Sequence, residues 1–132
     1  MDNGYRAFFG LTKEPCRSDL TPEEIMETEG LVAVKKRFDY ALRLGGIAVI
    51  TGEIGSGKST ALRYAISTLH PSAHLSLYVT ATTGSVLELY RQIATDLGLN
   101  LSSNSRAVMT RAVKKEVIQL VEDKKIKPVL VV

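Results

Sequence analysis

The sequence predicts an α/β fold in which a parallel sheet lies between two layers of helices. Three short apolar runs, within residues 47–51, 74–81 and 128–132, alternate with segments whose apolar residues recur at helical spacing. Runs that are apolar throughout are typical of parallel strands that helices cover on both faces. Ligands of such sheets bind beyond the carboxyl ends of the strands, and a glycine-rich stretch directly follows the first run.

The totals fit one soluble domain or part of one. The chain has 132 residues, of which 45% are hydrophobic and 23% charged. A net charge of +3 permits an anionic partner without requiring one. Cys16 is the only cysteine, which excludes an internal disulfide and fits a reducing, cytoplasmic setting. No apolar run reaches the ~18 residues of a membrane helix, and the N-terminus lacks the apolar stretch of a signal peptide.

The segment before residue 47 is predicted to be helical. Residues 21–24, TPEE, have the pattern of a capping box with proline in the first turn. Gly30 is a candidate interruption and Gly45 a helix stop. Between them five apolar residues have helical spacing: Leu31, Val34, Phe38, Ala41 and Leu42. Residues 47–51, IAVIT, then predict a fully buried strand.

Three further helices and two strands are predicted after the glycine-rich stretch. The first helix runs from about residue 58 to 69, before Pro71, with Leu62, Ala65, Ile66 and Leu69 on one face. The second begins with a capping box at Ser85 and Glu88 and stops at Gly98. The third spans about residues 105–125, with six residues facing inward: Val108, Ala112, Val113, Val117, Leu120 and Val121. Residues 74–81 and 128–132 are the second and third strands.

Residues 52–59, GEIGSGKS, match G-x-x-x-x-G-K-[ST], the phosphate-binding P-loop or Walker A motif. Glycines leave room for a phosphate chain, and backbone N–H groups at a helix N-terminus attract it. Lys58 can reach the β- and γ-phosphates, the Ser59 hydroxyl can ligate Mg²⁺, and Thr60 follows beside the α-phosphate. An accidental glycine-rich turn is strongly disfavoured, because the match falls between a predicted strand and a predicted helix.

This motif gives the candidate site residues. Lys58 is the candidate catalytic residue and Ser59 the candidate metal ligand, with ATP or ADP and Mg²⁺ as cofactors. Glu53 is expected to point outward, because a carboxylate aimed at phosphates would repel them. The candidate nucleotide-binding residues are Gly52, Glu53, Ile54, Gly55, Ser56, Gly57, Lys58, Ser59 and Thr60.

Other residues give weaker signals. His70 and His74 lack the further ligands that a metal site needs. Cys16 is more typical of an apolar filler than of a nucleophile. Phe8 and Phe9 are expected in the core rather than stacked on a base.

Two basic runs are predicted to be solvated helix faces. They are residues 35–37, Lys-Lys-Arg, and residues 114–115, Lys-Lys. Contact with phosphate is the alternative for both runs, and the sequence gives no support for it.

The opening YRAFFGLTKEPC and the stretch GGIAVITGEIGSGKST together resemble the N-terminal part of the ExeA-like AAA+ ATPases. That family includes general secretion pathway protein A and related transposition-helper ATPases. Residues 77–99 are similar to the family's second strand and following helix. Cys16 departs from the phenylalanine usual at its position. The matching residues are Tyr5, Phe9, Gly10, Leu11 and Pro15 in the opening, and Thr51, Gly52, Glu53, Gly55, Gly57, Lys58 and Ser59 in the loop.

The resemblance implies a P-loop NTPase of the AAA+ type, a three-layer α/β sandwich. It implies an N-terminal helical segment, residues 1–44, and an ATPase core, residues 45–132, that is incomplete at its C-terminus. In the family the strand matching residues 127–132 is the Walker B strand, which ends in an Asp-Glu pair for Mg²⁺ and for the attacking water. That pair, the sensor residues, the arginine finger and the lid domain would lie beyond Val132.

Two functions are compatible with the sequence. The first is an AAA+ ATPase that self-associates and couples ATP binding and hydrolysis to remodelling or assembly of a secretion complex, or of a transposase with DNA. The alternative is a non-hydrolysing nucleotide-binding module that regulates contacts. In either case we expect these 132 residues alone to bind nucleotide weakly, because the lid domain is not among them. We expect them to hydrolyse it hardly at all, because the Walker B carboxylates are not among them either.

Overall fold

The computed structural model describes residues 4–15, 17, 19–81 and 84–132. Cys16 lies outside these residues, so its packing stays a prediction. A 3₁₀ turn spans Pro22–Glu24. In chain order the regular elements are α1 (Gly4–Phe8), α2 (Glu29–Leu44), α3 (Lys58–Ser67), β1 (His74–Tyr78), α4 (Val86–Asp96), α5 (Arg106–Glu122) and β2 (Lys127–Val131).

The two strands form a parallel pair, as the sequence predicts. Their register runs from His74 opposite Lys127 to Tyr78 opposite Val131. The pairing extends one residue further, because the N–H of Val79 donates to the carbonyl of Val131 at 2.8 Å. The chain crosses from β1 to β2 through α4 and α5, which is the long connection that parallel strands require.

The main apolar core lies on one face of this sheet. Leu77, Val79 and Ile93 form its centre, and α4 and α5 supply the cover. The partly buried residues packed around it are Leu75, Leu89, Leu97 and Val113. On the other face Tyr78 and Leu130 are each about half exposed. Cover on both faces was therefore a wrong prediction for the described residues, because α3 packs mainly against α2 instead.

Residues 47–51 differ most from the prediction. They form no strand, and Ile47 and Val49 are 97% and 80% exposed. β-Branched residues favour an extended backbone, but a strand also needs a neighbour to accept its hydrogen bonds. β1 and β2 pair with each other, and no described segment pairs with residues 47–51. This stretch is an irregular connection from α2 to the glycine-rich loop.

The helix α2 ends at Gly45, as the sequence predicts, but it begins after Thr28 rather than at residue 21. The Thr28 hydroxyl oxygen accepts a hydrogen bond from the N–H of Leu31 at 3.2 Å, and Gly45 ends the helix with φ of 65°. Gly30 lies within the first turn and does not interrupt it. α2 packs against α3, on which Ala61 and Ala65 are buried. The helix expected from residue 21 is only the 3₁₀ turn Pro22–Glu24.

The buried stripe of α5 departs from the prediction at two valines, whereas Leu120 is buried as predicted. Val108 and Val121 were expected inward, but each is more than 40% exposed. Met109 is completely buried, and Leu120 is 5% exposed. Neighbouring residues lie about 100° apart around a helix, so the two valines flank the stripe rather than belong to it.

Phe8 and Phe9 are not in the core, contrary to the prediction. They are 82% and 68% exposed and contact each other edge to face, with ring centroids 4.9 Å apart. α1 has only five residues, and none of them is buried. A helix this short offers too little apolar surface to draw both rings inward.

Glu24 ties the N-terminal segment together. Its carboxylate forms ion pairs with Lys13 and Arg17 and accepts a hydrogen bond from the N–H of Thr21 at 3.0 Å. The hydrogen bond from Lys13, and after it the one from Thr21, lowers the pKa of Glu24 from 4.5 to about 2.

The Glu24 contacts predict a stability loss in acid. A lowered carboxyl pKa contributes stability that is fully present above about pH 4.5 and is lost as the pH falls towards 2. Between these values the melting temperature should fall more for the native chain than for Glu24→Gln. Exposed Glu23→Gln is the control and should follow the native chain. Parallel curves for all three proteins in thermal melts would show that the Glu24 contacts do not stabilise the fold.

The burial of α5 predicts unequal effects of two neighbouring truncations. Met109→Ala should lower the free energy of unfolding by about 2–5 kcal/mol, because it leaves a cavity under α5. Val108→Ala should cost about 0.5 kcal/mol or less, since Val108 faces largely outward. Urea denaturation measures both. A larger cost for Val108→Ala would restore the predicted stripe.

Candidate functional site

The glycine-rich loop connects residues 47–51 to the start of α3. Within it the N–H of Ser56 donates to the carbonyl of Glu53 at 3.3 Å. Gly55 and Gly57 have φ of 81° and 85°, in the left-handed region that other residues rarely adopt. Gly57 is also the N-cap of α3. The second glycine of the motif is therefore required for the helix to start directly at the lysine.

Lys58 folds back across the loop. Its ammonium donates to the carbonyl of Gly52 at 2.9 Å and to that of Glu53 at 2.6 Å. An ammonium has three N–H donors, so one remains for a ligand. The two bonds hold the positive charge beside the first turn of α3, although Lys58 is one of the longest and most flexible side chains.

Gly52 makes room for this arrangement. A Cβ atom on Gly52 would lie 2.9 Å from the Ser56 hydroxyl oxygen and 3.7 Å from Cδ of Lys58. Any other residue would push against the side chains that close the loop. The first glycine of the motif thus allows the side chains of Ser56 and Lys58 to lie close to the backbone at Gly52.

The N-terminus of α3 offers further donors. The first hydrogen bond of the helix runs from the N–H of Ala61 to the carbonyl of Gly57 at 2.8 Å. The N–H groups of Lys58, Ser59 and Thr60 precede it and have no acceptor within the helix. The first turn contains no acidic residue, so the positive end of the helix dipole is not neutralised there. This combination suits an anion.

The donor set also fits Mg²⁺ that arrives with a phosphate. Ser59 is exposed and carries a hydroxyl oxygen, a hard ligand of the kind that Mg²⁺ prefers. In the described part of the chain no group of three or more His, Cys, Asp or Glu side chains could hold a metal ion. A cation at this loop would therefore depend on phosphate oxygens and water for its other ligands.

Two loop residues contribute mainly backbone. The backbone carbonyl of Glu53 accepts a hydrogen bond from Lys58. Glu53 is exposed, which is compatible with a carboxylate that points outward. The Ile54 side chain at the loop tip is fully exposed.

His70 makes a local contact only. The Nδ1 atom of its ring lies 2.7 Å from the Ser72 hydroxyl. His74 lies at the start of β1, away from the loop in sequence. Neither histidine joins the candidate site residues.

Sequence reasoning missed a link that fixes α3. The Tyr64 hydroxyl donates to the carboxylate of Glu27, just before the N-cap of α2. This hydrogen bond raises the pKa of Tyr64. The two residues are 37 positions apart, so no local pattern could reveal the pair. The bond ties the helix that carries the loop to the segment before α2.

Comparison with protein-family models matches residues 42–132 to a family described as an AAA domain. The match covers more than half of the chain, including the loop and both strands. No curated protein and no solved structure matches the chain. Among the described helices none is long and apolar enough to cross a membrane.

The loop geometry predicts where a small anion binds. Added pyrophosphate should shift the backbone amide resonances of residues 53–60 more than those of any other segment, because free N–H donors and Lys58 converge there. A ¹H–¹⁵N correlation spectrum measures this, with sodium chloride at equal ionic strength as the control. Shifts concentrated in another segment would contradict the assignment.

Proposed function

The chain belongs to the AAA domain family, and we propose that residues 52–60 bind the phosphates of ATP or ADP together with Mg²⁺. An AAA domain is a nucleotide-binding, ATPase-type domain with a P-loop NTPase fold. The observation that carries the proposal is the position of Lys58, which two backbone carbonyls hold next to the unpaired N–H groups of α3. A positive charge held next to N–H donors is an arrangement that suits an anionic ligand.

Each residue of the loop has a role in this proposal. Lys58 contacts the β- and γ-phosphates with its remaining N–H and is the catalytic residue, since it also stabilises charge during phosphoryl transfer. The N–H groups of residues 55–60 surround the β-phosphate, and Thr60 lies beside the α-phosphate. The Ser59 hydroxyl would hold Mg²⁺, which would supply positive charge to neutralise that of the phosphates.

The proposed activity is ATP hydrolysis by the self-associated protein. Phosphoryl transfer depends mostly on positioning and charge stabilisation, and residues 52–60 provide the positioning of the phosphates. Following the resemblance to ExeA-like ATPases, we propose that nucleotide turnover drives self-association and remodelling or assembly of a partner complex. A module that binds nucleotide without turnover would use the same loop, and phosphate release distinguishes the two.

The roles of Lys58 and Ser59 predict different binding defects. Lys58→Ala should weaken ATP and ADP binding about 10- to 100-fold, because it removes a charged hydrogen bond to phosphate. Ser59→Ala should remove mainly the gain in affinity that Mg²⁺ provides. Isothermal titration with and without Mg²⁺ measures both, and Lys36→Ala, an exposed lysine of α2, is the control.

Retained melting temperatures would establish that the variants fold. A folded Lys58→Ala chain with unchanged affinity for ATP would refute the assignment of the loop. Loss of binding in Lys36→Ala to the same extent would point to a general charge effect instead.

A further inference from the structure

Basic charge is concentrated in residues 106–127. This segment has seven basic and three acidic residues, a formal charge of +4, whereas the whole chain carries +3. All seven basic residues are exposed: Arg106, Arg111, Lys114, Lys115, Lys124, Lys125 and Lys127. The segment therefore accounts for the entire positive excess, and the rest of the chain is slightly acidic.

This charge is not compensated within the described part of the chain. The ion pairs found there use Lys13, Arg17, Lys35 and Arg91, and none uses a basic residue of 106–127. The basic run on α2 differs, since Lys35 contacts Asp39 at 2.6 Å. On α5 no acidic residue lies three or four positions from Arg111, Lys114 or Lys115, so such a pair cannot form along the helix.

Three of the residues share one outward face in the middle of α5. Arg111, Lys114 and Lys115 are three and four positions apart, a spacing that places side chains about 5–6 Å from one another. The opposite face carries the buried Met109 and Leu120. Lys124, Lys125 and Lys127 follow the C-terminus of the helix, where the helix dipole already favours cations. The helix C-terminus therefore accounts for these three lysines, but not for Arg111, Lys114 and Lys115 in the middle of α5.

We propose that this outer face of α5, defined by Arg111, Lys114 and Lys115, binds the phosphate backbone of a nucleic acid. Closely spaced cations can neutralise several phosphates of a strand and release their counterions, which favours binding without base specificity. This role is separate from nucleotide binding at residues 52–60 and does not depend on it.

A lipid surface fits the same helix less well. A helix that lies in a membrane interface turns its apolar face, usually with Trp, Phe or Leu, into the lipid. The apolar face of α5 is already buried against the rest of the fold. Its partly exposed apolar residues, Val108, Ile118 and Val121, include no aromatic side chain.

Two double variants of equal charge test the proposal. Lys114→Glu/Lys115→Glu reverses charge on α5, and Lys36→Glu/Arg37→Glu does so on α2, at residues that are likewise exposed. Fluorescence anisotropy with a labelled 30-base-pair DNA of arbitrary sequence, without nucleotide, measures the affinity. We expect a loss of tenfold or more for the α5 variant, and a smaller loss for the α2 variant.

The salt dependence supplies a second readout. The slope of log K against log salt concentration should become shallower by about two for the α5 variant, one unit for each lost phosphate contact. Lys114→Gln/Lys115→Gln removes the two charges without reversing them and serves as the control in case charge reversal disturbs folding. It should also weaken DNA binding and make the slope shallower. Equal losses for the α5 and α2 variants, no DNA binding by the native chain, or tighter binding to phosphatidylserine vesicles than to DNA would each overturn the proposal.

Discussion

The hydrogen bonds from the Lys58 ammonium to the carbonyls of Gly52 and Glu53 hold the candidate site together. Lys58 is the first residue of α3, so these bonds join the start of the loop to the first turn of the helix. The positive charge is thereby held against the backbone of the loop that leads into the N-terminus of α3. Without the bonds, a loop this rich in glycine would gain conformational entropy, and the donors would have to be ordered by the ligand at a cost in affinity.

The support for this loop comes from helices rather than from the sheet. α3 packs against α2, Ala61 and Ala65 of α3 are buried, and the Tyr64–Glu27 hydrogen bond fixes a second point on the same helix. Side chains that interdigitate between two packed helices restrict the angle at which the helices cross. Residues 47–51, by contrast, contribute no strand pairing to hold the loop. The position of the N–H donors at the start of α3 therefore depends on how α2 and α3 pack.

The sequence predicted features that depend on residues close together in the chain. The motif of residues 52–59, the Ser85 cap and the Gly45 and Gly98 stops all act over about four residues, which a pattern can capture. The burial of individual side chains was harder to predict, because it depends on which residues from distant parts of the chain pack against them. The exposure of Ile47, Phe8 and Val108 and the pairing of Tyr64 with Glu27 follow from distant or absent neighbours, so composition and spacing alone could not give them.

The two proposed anion-binding surfaces would work by different physics. The loop offers backbone N–H groups, a helix N-terminus and one lysine, and direct hydrogen bonds from these groups depend less on salt than interactions between separated charges do. The outer face of α5 has no such enclosure and relies on net charge, which salt screens strongly. Raising the ionic strength therefore separates the surfaces in one protein sample: binding of polyanions to α5 weakens steeply, while binding of a nucleotide to residues 52–60 changes far less.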